Sequence, residues 1–394
     1  MRLMNVRTFK QTEIHNSIPP YVILSHRWGR QELSYQDYLR TPEAVFKELP
    51  TASGTNENLG VPKIAHACAQ AKNAGIEWIW IDTCCIDKTS SAELSRSINS
   101  MFSWYEEAKV CFAYLADVHS RGKSKAAVDD EILNSEWFRR GWTLQEMLAP
   151  REMIFYDADW QLLGSRSRLT AIIVEAAKIS PEHLRNFRSA SIAQKMSWMA
   201  DRSTTEVEDT AYCMLGLFDA TMDLRPGEGR KAFLRLQEVI IGGSPDESIF
   251  AWTSHKYETS GLLAPWIDCF RHSGNVFLRP DKITYFRGSY QMASGGLNFP
   301  GPAYLVGYLE LGDAIARRIA SKKIEMPTQC WTLQNGEPRA IVLYMSKEGG
   351  YWKRIRCGEW GTASKVKMKS KWQWSGPALM INIHVPQRET LKEP

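Results

Sequence analysis

Tyr21-Val-Ile-Leu-Ser25-His26-Arg27-Trp28-Gly29 begins as an apolar run directly after Pro19-Pro20 and closes on polar and aromatic residues. A short apolar run bounded by turn residues reads as a buried strand. The same texture returns at Trp78-Ile-Trp-Ile-Asp82, at Val110-Cys-Phe-Ala-Tyr-Leu115 and at Met153-Ile-Phe-Tyr156. Helical spacing separates these runs. Pro62 stands at a first helical position, with Ile64, Cys68 and Ala71 on one face up to Gly75. Ser90 and Glu93 have capping-box spacing, and Leu94, Ile98, Met101, Phe102 and Tyr105 continue at helical intervals through Ala108. A polar loop over 119–131 leads to a helix from about Trp137 to Leu148. Strands alternating with amphipathic helices specify an α/β fold, a parallel sheet with helices on both faces. Such sheets bind ligands beyond the carboxyl ends of their strands. Here those ends carry Ser25 to Gly29, Asp82-Thr83-Cys84 and Asp117.

The texture changes twice further along. Residues 165 to about 243 read as helical, through Ile192–Ala200, Glu208–Leu217 and Lys231–Ile241. From Ser248 short β-like runs follow, broken by Gly and Pro: Ile249–Trp252, Tyr304–Tyr308, Ala340–Tyr344 and Met380–Ile383. Three domains are expected: an α/β domain over 1–160, a helical extension over 161–245 and a β-rich domain over 246–394.

Composition limits the function classes. With 394 residues, 44% hydrophobic and 24% charged, the chain is globular rather than disordered or collagen-like. A net charge of +5 is too near balance to imply a nucleic-acid groove, so no nucleic-acid partner is expected. The N-terminus lacks a signal-peptide core, and no apolar run is long enough to cross a bilayer. The eight dispersed cysteines form no C-x-x-C pair, so a reduced, cytoplasmic protein without a metal site is expected. Fifteen tryptophans are many for this length and supply candidate stacking surfaces.

Several familiar patterns fail. Gly122-Lys123-Ser124 lacks the upstream glycine of a phosphate loop. Gly227-x-Gly229-x-x-Ala232 follows a helical stretch, not a strand, and no H-E-x-x-H or G-x-S-x-G occurs. Lys365, Lys367, Lys369 and Lys371 alternate as on one face of a solvated edge strand, with binding to an anionic lipid or nucleic acid as the lesser reading. Glu146 is the notable carboxylate. It stands four residues after Trp142 on one helix face, where an acid beside an indole in a cleft acquires a raised pKa; the plainer reading is a solvated or salt-bridged helical glutamate.

Three segments in order resemble the fungal heterokaryon incompatibility (HET) domain: Tyr21–Gly29, Trp78-Ile-Trp-Ile-Asp-Thr-Cys-Cys-Ile-Asp-Lys88 and Phe138-Arg-Arg-Gly-Trp-Thr-Leu-Gln-Glu-Met-Leu148. Ser191–Trp198, Glu208–Phe218 and Gly227–Glu238 resemble the helical extension of a subgroup that often carries NTPase and WD-repeat modules, and none of those modules is recognisable here. The resemblance implies a part in non-self recognition and programmed cell death, and a flavodoxin-like sheet similar to that of TIR (Toll/interleukin receptor) domains. Trp142-Thr-Leu-Gln-Glu146 resembles the W-C-x-x-E segment of TIR domains that cleave NAD+, with Thr143 in place of Cys. That likeness makes Glu146 the implied catalytic residue and NAD+ a substrate rather than a cofactor. Ser25, His26 and Asp82 would then line the cleft, Arg27 would pair with the pyrophosphate, and Trp28 or Trp142 would stack on a ring.

Two readings stay open on the sequence. One is an NAD+ glycohydrolase switched on by homo-oligomerisation. The other is a non-enzymatic module that oligomerises and recruits other incompatibility proteins, with Arg27, Asp82 and Glu146 forming a structural ion-pair network.

Overall fold

The computed structural model describes residues 1–15, 17–29, 31–47, 60–256 and 259–278, and beyond these 291–293, 296–300, 304–305, 323–334, 337–348, 351–355, 357–359, 361–363 and 380–383. Two compact units divide the chain. The first comprises Met1–Phe187, Arg202–Thr205 and Tyr212–Leu224, and the second Arg188–Asp201, Glu206–Ala211 and Arg225–Pro394.

In chain order the first unit builds β1 (Arg2–Asn5), β2 (Gln11–Glu13), β3 (Tyr21–His26), α1 (Tyr35–Arg40), α2 (Glu43–Lys47), α3 (Gly60–Asn73), β4 (Trp78–Trp80) and α4 (Ser91–Glu107). It continues with β5 (Val110–Tyr114), α5 (Lys125–Asn134), α6 (Thr143–Leu148), β6 (Met153–Tyr156), β7 (Leu162–Ser165), α7 (Thr170–Ala177) and α8 (Pro181–Arg185). Seven strands form one sheet in the order β2-β1-β4-β3-β5-β6-β7. The central four run parallel, as the alternation of strands and helices requires. The flanks β2-β1 and β7 are antiparallel. Arg2–Asn5 and Leu162–Ser165 mix polar with apolar residues and Gln11–Glu13 is polar throughout, so they lack the continuous apolar texture that marks the central strands.

All six residues of β3 are buried, as befits a central parallel strand covered on both faces. Its register settles what each face holds. Ser25 lies beside Ala113, which lies beside Phe155, whereas His26 lies beside Tyr114 and then Tyr156. On the serine's face α4 packs through Trp104 and Tyr105 against Trp80, with ring centroids 5.5 and 6.0 Å apart. On the histidine's face α3 supplies Lys63 and His66, which meet the aromatic group of Tyr114 and Trp160.

The structure departs from the sequence reading locally. Helix α3 starts at Gly60, two residues before Pro62. At α4 the Ser90 hydroxyl accepts from Glu93 N at 3.3 Å, yet the Glu93 carboxylate accepts from Asp87 N and Arg2, so the capping box is half formed. The expected loop over 119–131 contains most of α5. Ser124 caps it by accepting from Ala127 N, and with only Ile132 buried it has no apolar stripe to reveal it. The expected helix from Trp137 to Leu148 is broken into a 3-10 turn, Glu136–Arg139, and α6. The break arises where Gly141 N donates to Ser203 O and Ser203 N to Arg139 O, both at 2.8 Å, replacing helical bonds.

Further along come α9 (Ile192–Met199), α10 (Asp209–Tyr212) and α11 (Lys231–Gly243). In the second unit Ser191 and Gln194 form a complete capping box on α9. Its strands are β8 (Thr259–Ser260), β9 (Phe277–Leu278), β10 (Gln291–Ala293), β11 (Gly296–Pro300), β12 (Tyr304–Leu305), β13 (Lys323–Gln334), β14 (Glu337–Glu348), β15 (Tyr351–Ile355), β16 (Gly361–Ala363) and β17 (Met380–Ile383). They belong to one mainly antiparallel sheet, with β13 and β14 its longest pair. The strand-like run Ile249–Trp252 is instead entered by a 3-10 turn, Glu247–Phe250. The carbonyls of Phe250 and Trp252 are taken by the buried Arg354 guanidinium rather than by a strand. The four alternating lysines and the end of the Tyr304–Tyr308 run lie outside the described residues.

Candidate functional site

Beyond Leu24 the strand changes from apolar to polar, and its alternation sends successive side chains to opposite faces. Ser25 turns towards α6, where its hydroxyl donates to Glu146 Oε2 at 2.5 Å. The Ser25 hydroxyl oxygen in turn accepts from Trp137 Nε1 at 3.0 Å. Glu146 reaches this position because α6 is anchored at its start. Thr143 Oγ1 donates to the Trp137 carbonyl at 2.5 Å and accepts from Arg202 Nη1 at 3.1 Å. Tyr105 of α4 donates to the Leu24 carbonyl at 3.2 Å and also lies against Glu146. Ser25 is 0% and Glu146 7% exposed. Burial pushes the Glu146 carboxyl up to about 8; the Ser25 bond opposes this, the Asp82 charge adds to it, and Arg140 and Tyr105 oppose it.

His26 turns the other way. Its Nε2 lies 3.0 Å from Asp82 Oδ1, and Trp28 Nε1 donates to Asp82 Oδ2 at 2.8 Å. Burial, reinforced by the Lys63 charge, lowers the His26 pKa and makes the imidazole neutral at physiological pH. Burial alone would raise Asp82, but bonds from His26 and Trp28 and the charge of Lys88 hold it well below the usual carboxylate range. An ionised Asp82 can only accept, so His26 donates from Nε2, and its Nδ1 has no hydrogen-bond partner among the described residues. Lys88 Nζ stands 3.4 Å from the Trp28 ring centre. Lys63 pairs with Glu32 at 2.5 Å, and Glu32 also accepts from Gly29 N at 2.6 Å.

The structure thus brings the expected residues together in two groups around the carboxyl edge of β3: Ser25 with Glu146, and His26 with Asp82 and Trp28. Trp142 is half-buried and directly precedes α6, one turn before Glu146. Arg27 is exposed and forms no ion pair among the described residues; Asp82 and Glu146 take hydrogen bonds from Trp28 and Ser25 instead. Asp117 accepts from Ser135 Oγ and Glu136 N, both at 2.7 Å, and so caps the 3-10 turn.

Sequence reasoning missed Trp137, Tyr105, Lys63 and Lys88. A readable signal existed for Lys63, a lone cation on the apolar face of α3 between Val61 and Ile64. Lys88 closes a segment already singled out, but no spacing rule points it at Trp28. Among the described residues no group of three or more His, Cys, Asp or Glu side chains could hold a metal ion. All eight cysteines are buried and free. No helix among the described residues is long and apolar enough to cross a membrane.

Comparison with known proteins adds three findings. Residues 21–130 match the family model of the heterokaryon incompatibility protein (HET), and residues 231–281 match a domain of unknown function (DUF8212). The chain is 42% identical over 232 residues to vegetative incompatibility protein HET-E-1 of Podospora anserina. The alignment covers 57% of this chain but 16% of that relative, so the chain spans about a sixth of its length. No solved structure matches the chain.

Proposed function

We propose that this chain, which matches the heterokaryon incompatibility (HET) family model over residues 21–130, acts in an incompatibility and cell-death response by hydrolysing NAD+ at the carboxyl edge of β3. One observation carries the reading: Glu146, buried and hydrogen-bonded by Ser25, at the end of a parallel strand. The strand order supports it. The first parallel strand, β3, has β4 on one side and β5 then β6 on the other, the flavodoxin-like order similar to that of TIR domains. In such sheets ligands bind beyond the carboxyl ends of the strands where the order reverses, here at β3 and β5, whose ends carry Ser25, His26 and Tyr114.

The chemistry follows from the carboxyl group's environment. A buried carboxyl that is neutral alone ionises beside a cation, and the nicotinamide ring of NAD+ is one. The carboxylate then stabilises the oxocarbenium-like centre at the ribose C1′ as the C1′–N bond breaks and nicotinamide leaves with the electron pair. Water adds to C1′ and releases a proton, giving ADP-ribose. Trp28, with an edge held by Asp82 and Lys88 over its ring, offers a rigid stacking surface. Homo-oligomerisation and contacts with other incompatibility proteins supply the switch in this reading.

The test is nicotinamide release from NAD+ by the purified chain, compared with Glu146→Gln. Release that is lost in the variant supports hydrolysis. NAD+ left intact at concentrations that drive self-association overturns it and favours a module working by contact alone.

A further inference from the structure

We propose that Trp137 is a positioning residue that aims the Ser25 hydroxyl proton at Glu146. This deepens the reading of Glu146 as the reacting carboxylate, and only its kinetic arm depends on that reading. A serine hydroxyl has one proton and two lone pairs. Trp137 is 1% exposed, wedged edge-on against Phe138 and Phe155 at 5.0 and 5.7 Å, so its indole N–H has a fixed direction. That N–H occupies one lone pair of Ser25 at 3.0 Å, and the proton goes to Glu146 at 2.5 Å. A hydroxyl that accepts a hydrogen bond is also a better donor. The indole therefore favours the ionised carboxylate through the serine, without touching Glu146 itself.

Other groups also bear on this carboxyl. Asp82, beyond β4, disfavours its charge, while Arg140 and Tyr105 favour it. Cys111 on β5 and Arg202 also interact electrostatically with Glu146. The effect of the indole must be read against this constant background.

The experiment follows the Glu146 carboxyl stretch by infrared titration of the full chain, with Glu146→Gln as reference. Trp137→Phe keeps the ring packing and removes the donor; the titration is expected to move upward by about half a pH unit or more. Ser25→Ala should move it at least as far, and the double variant no further than Ser25→Ala alone. Trp137→His, which restores an N–H, should recover part of the shift. In NAD+ hydrolysis, the pH profile of kcat/KM for Trp137→Phe should move the same way, with kcat/KM near neutrality falling roughly three- to tenfold. Should Trp137→Phe not fold, the wild-type Trp137 indole N–H resonance decides the matter, because it must track the Glu146 midpoint and lose that dependence in Ser25→Ala. An unmoved carboxyl titration, additive effects of the two single variants, or an indole resonance blind to Glu146 overturns the proposal. A shifted carboxyl in a chain that leaves NAD+ intact sinks the hydrolysis reading and leaves the relay standing.

Discussion

Ser25 and His26 are neighbours in one strand, yet the serine bonds Glu146 at 2.5 Å on one face of the sheet and the histidine bonds Asp82 at 3.0 Å on the other. A two-residue period makes this unavoidable. Its consequence is electrostatic. Two carboxylates are held on either side of a strand end, close enough for the ionised Asp82 to raise the pKa of Glu146. One acid is therefore charged and the other neutral at physiological pH, a division of roles set by the protein around them.

This division predicts a pH dependence of stability. Glu146 moves from 4.5 to about 8 on folding, so the folded chain binds more protons than the unfolded one between those values. Its contribution is fully present below about 4.5 and is lost as pH rises through about 8. A displacement of that size is worth at most about 4–5 kcal/mol. His26 works in the opposite sense, since its lowered pKa withdraws stability as pH falls below 6.5. Denaturant melts of wild type and Glu146→Gln from pH 5 to 9 separate the two. The wild type should lose stability relative to the variant as pH rises, and parallel curves would contradict the assignment.

Asp82→Asn should act at a distance. Removing the anion lowers the Glu146 midpoint below its wild-type value, because one of the influences that raise it has gone. The His26 pKa should fall further, having lost the partner that favours its charged form. Carbon-13 NMR of labelled Glu and nitrogen-15 NMR of the imidazole read the two movements together. Opposite directions, or no change at Glu146, would mean that the carboxylates are uncoupled.

How much of this was open to a reader of the sequence depends on range. The parallel strands were legible because Tyr21–Leu24 and Val110–Ala113 are apolar on both faces, a property of the residues themselves. Helix α5 was hidden because a solvated helix with one buried residue has no stripe. The break before α6 was hidden because its cause, Ser203, lies some sixty residues away. Glu146 stood out through its spacing to Trp142, yet its partner is Ser25, 121 residues earlier, and its donor chain runs through Trp137. Pairings of that separation are made by the sheet's register, and no local period encodes them.

Trp28 separates binding from stability. It is 40% exposed, and the cation–π contact with Lys88 is worth about 0.5–1 kcal/mol at such a site. Trp28→Ala also removes the hydrogen bond to the ionised Asp82, so it should cost about 2–3 kcal/mol of folding stability. If the indole stacks on a substrate ring, KM for NAD+ should rise about tenfold with kcat nearly unchanged, since the contact is made equally in ground and transition states. Steady-state kinetics beside thermal melts check both halves. A fall in kcat at constant KM would place Trp28 in the chemistry instead of in binding.

The tightest packing constraint lies at Gly216. A Cβ there would stand 2.1 Å from Phe102 Cβ and 2.2 Å from its Cγ, so the 3-10 turn Leu215–Phe218 and α4 meet with no room for a methyl group. The nearest atom is anchored to the backbone and cannot rotate away, which forces the turn or the helix to shift. Gly216→Ala should lose about 1–3 kcal/mol, the usual cost of overpacking. Truncating the neighbour does not relieve it. Phe102→Ala keeps the offending Cβ and adds the loss of a ring stacked edge-on against Phe187 at 5.5 Å, so the double variant should be less stable than Gly216→Ala alone. Gly242 is the matched control, an α11 residue with nothing within 4 Å of a built Cβ. Gly242→Ala should gain about 0.5–1 kcal/mol from helix propensity. Thermal unfolding of the four proteins orders them, and a rescue of Gly216→Ala by Phe102→Ala would show that the ring, not the backbone-anchored carbon, sets the limit.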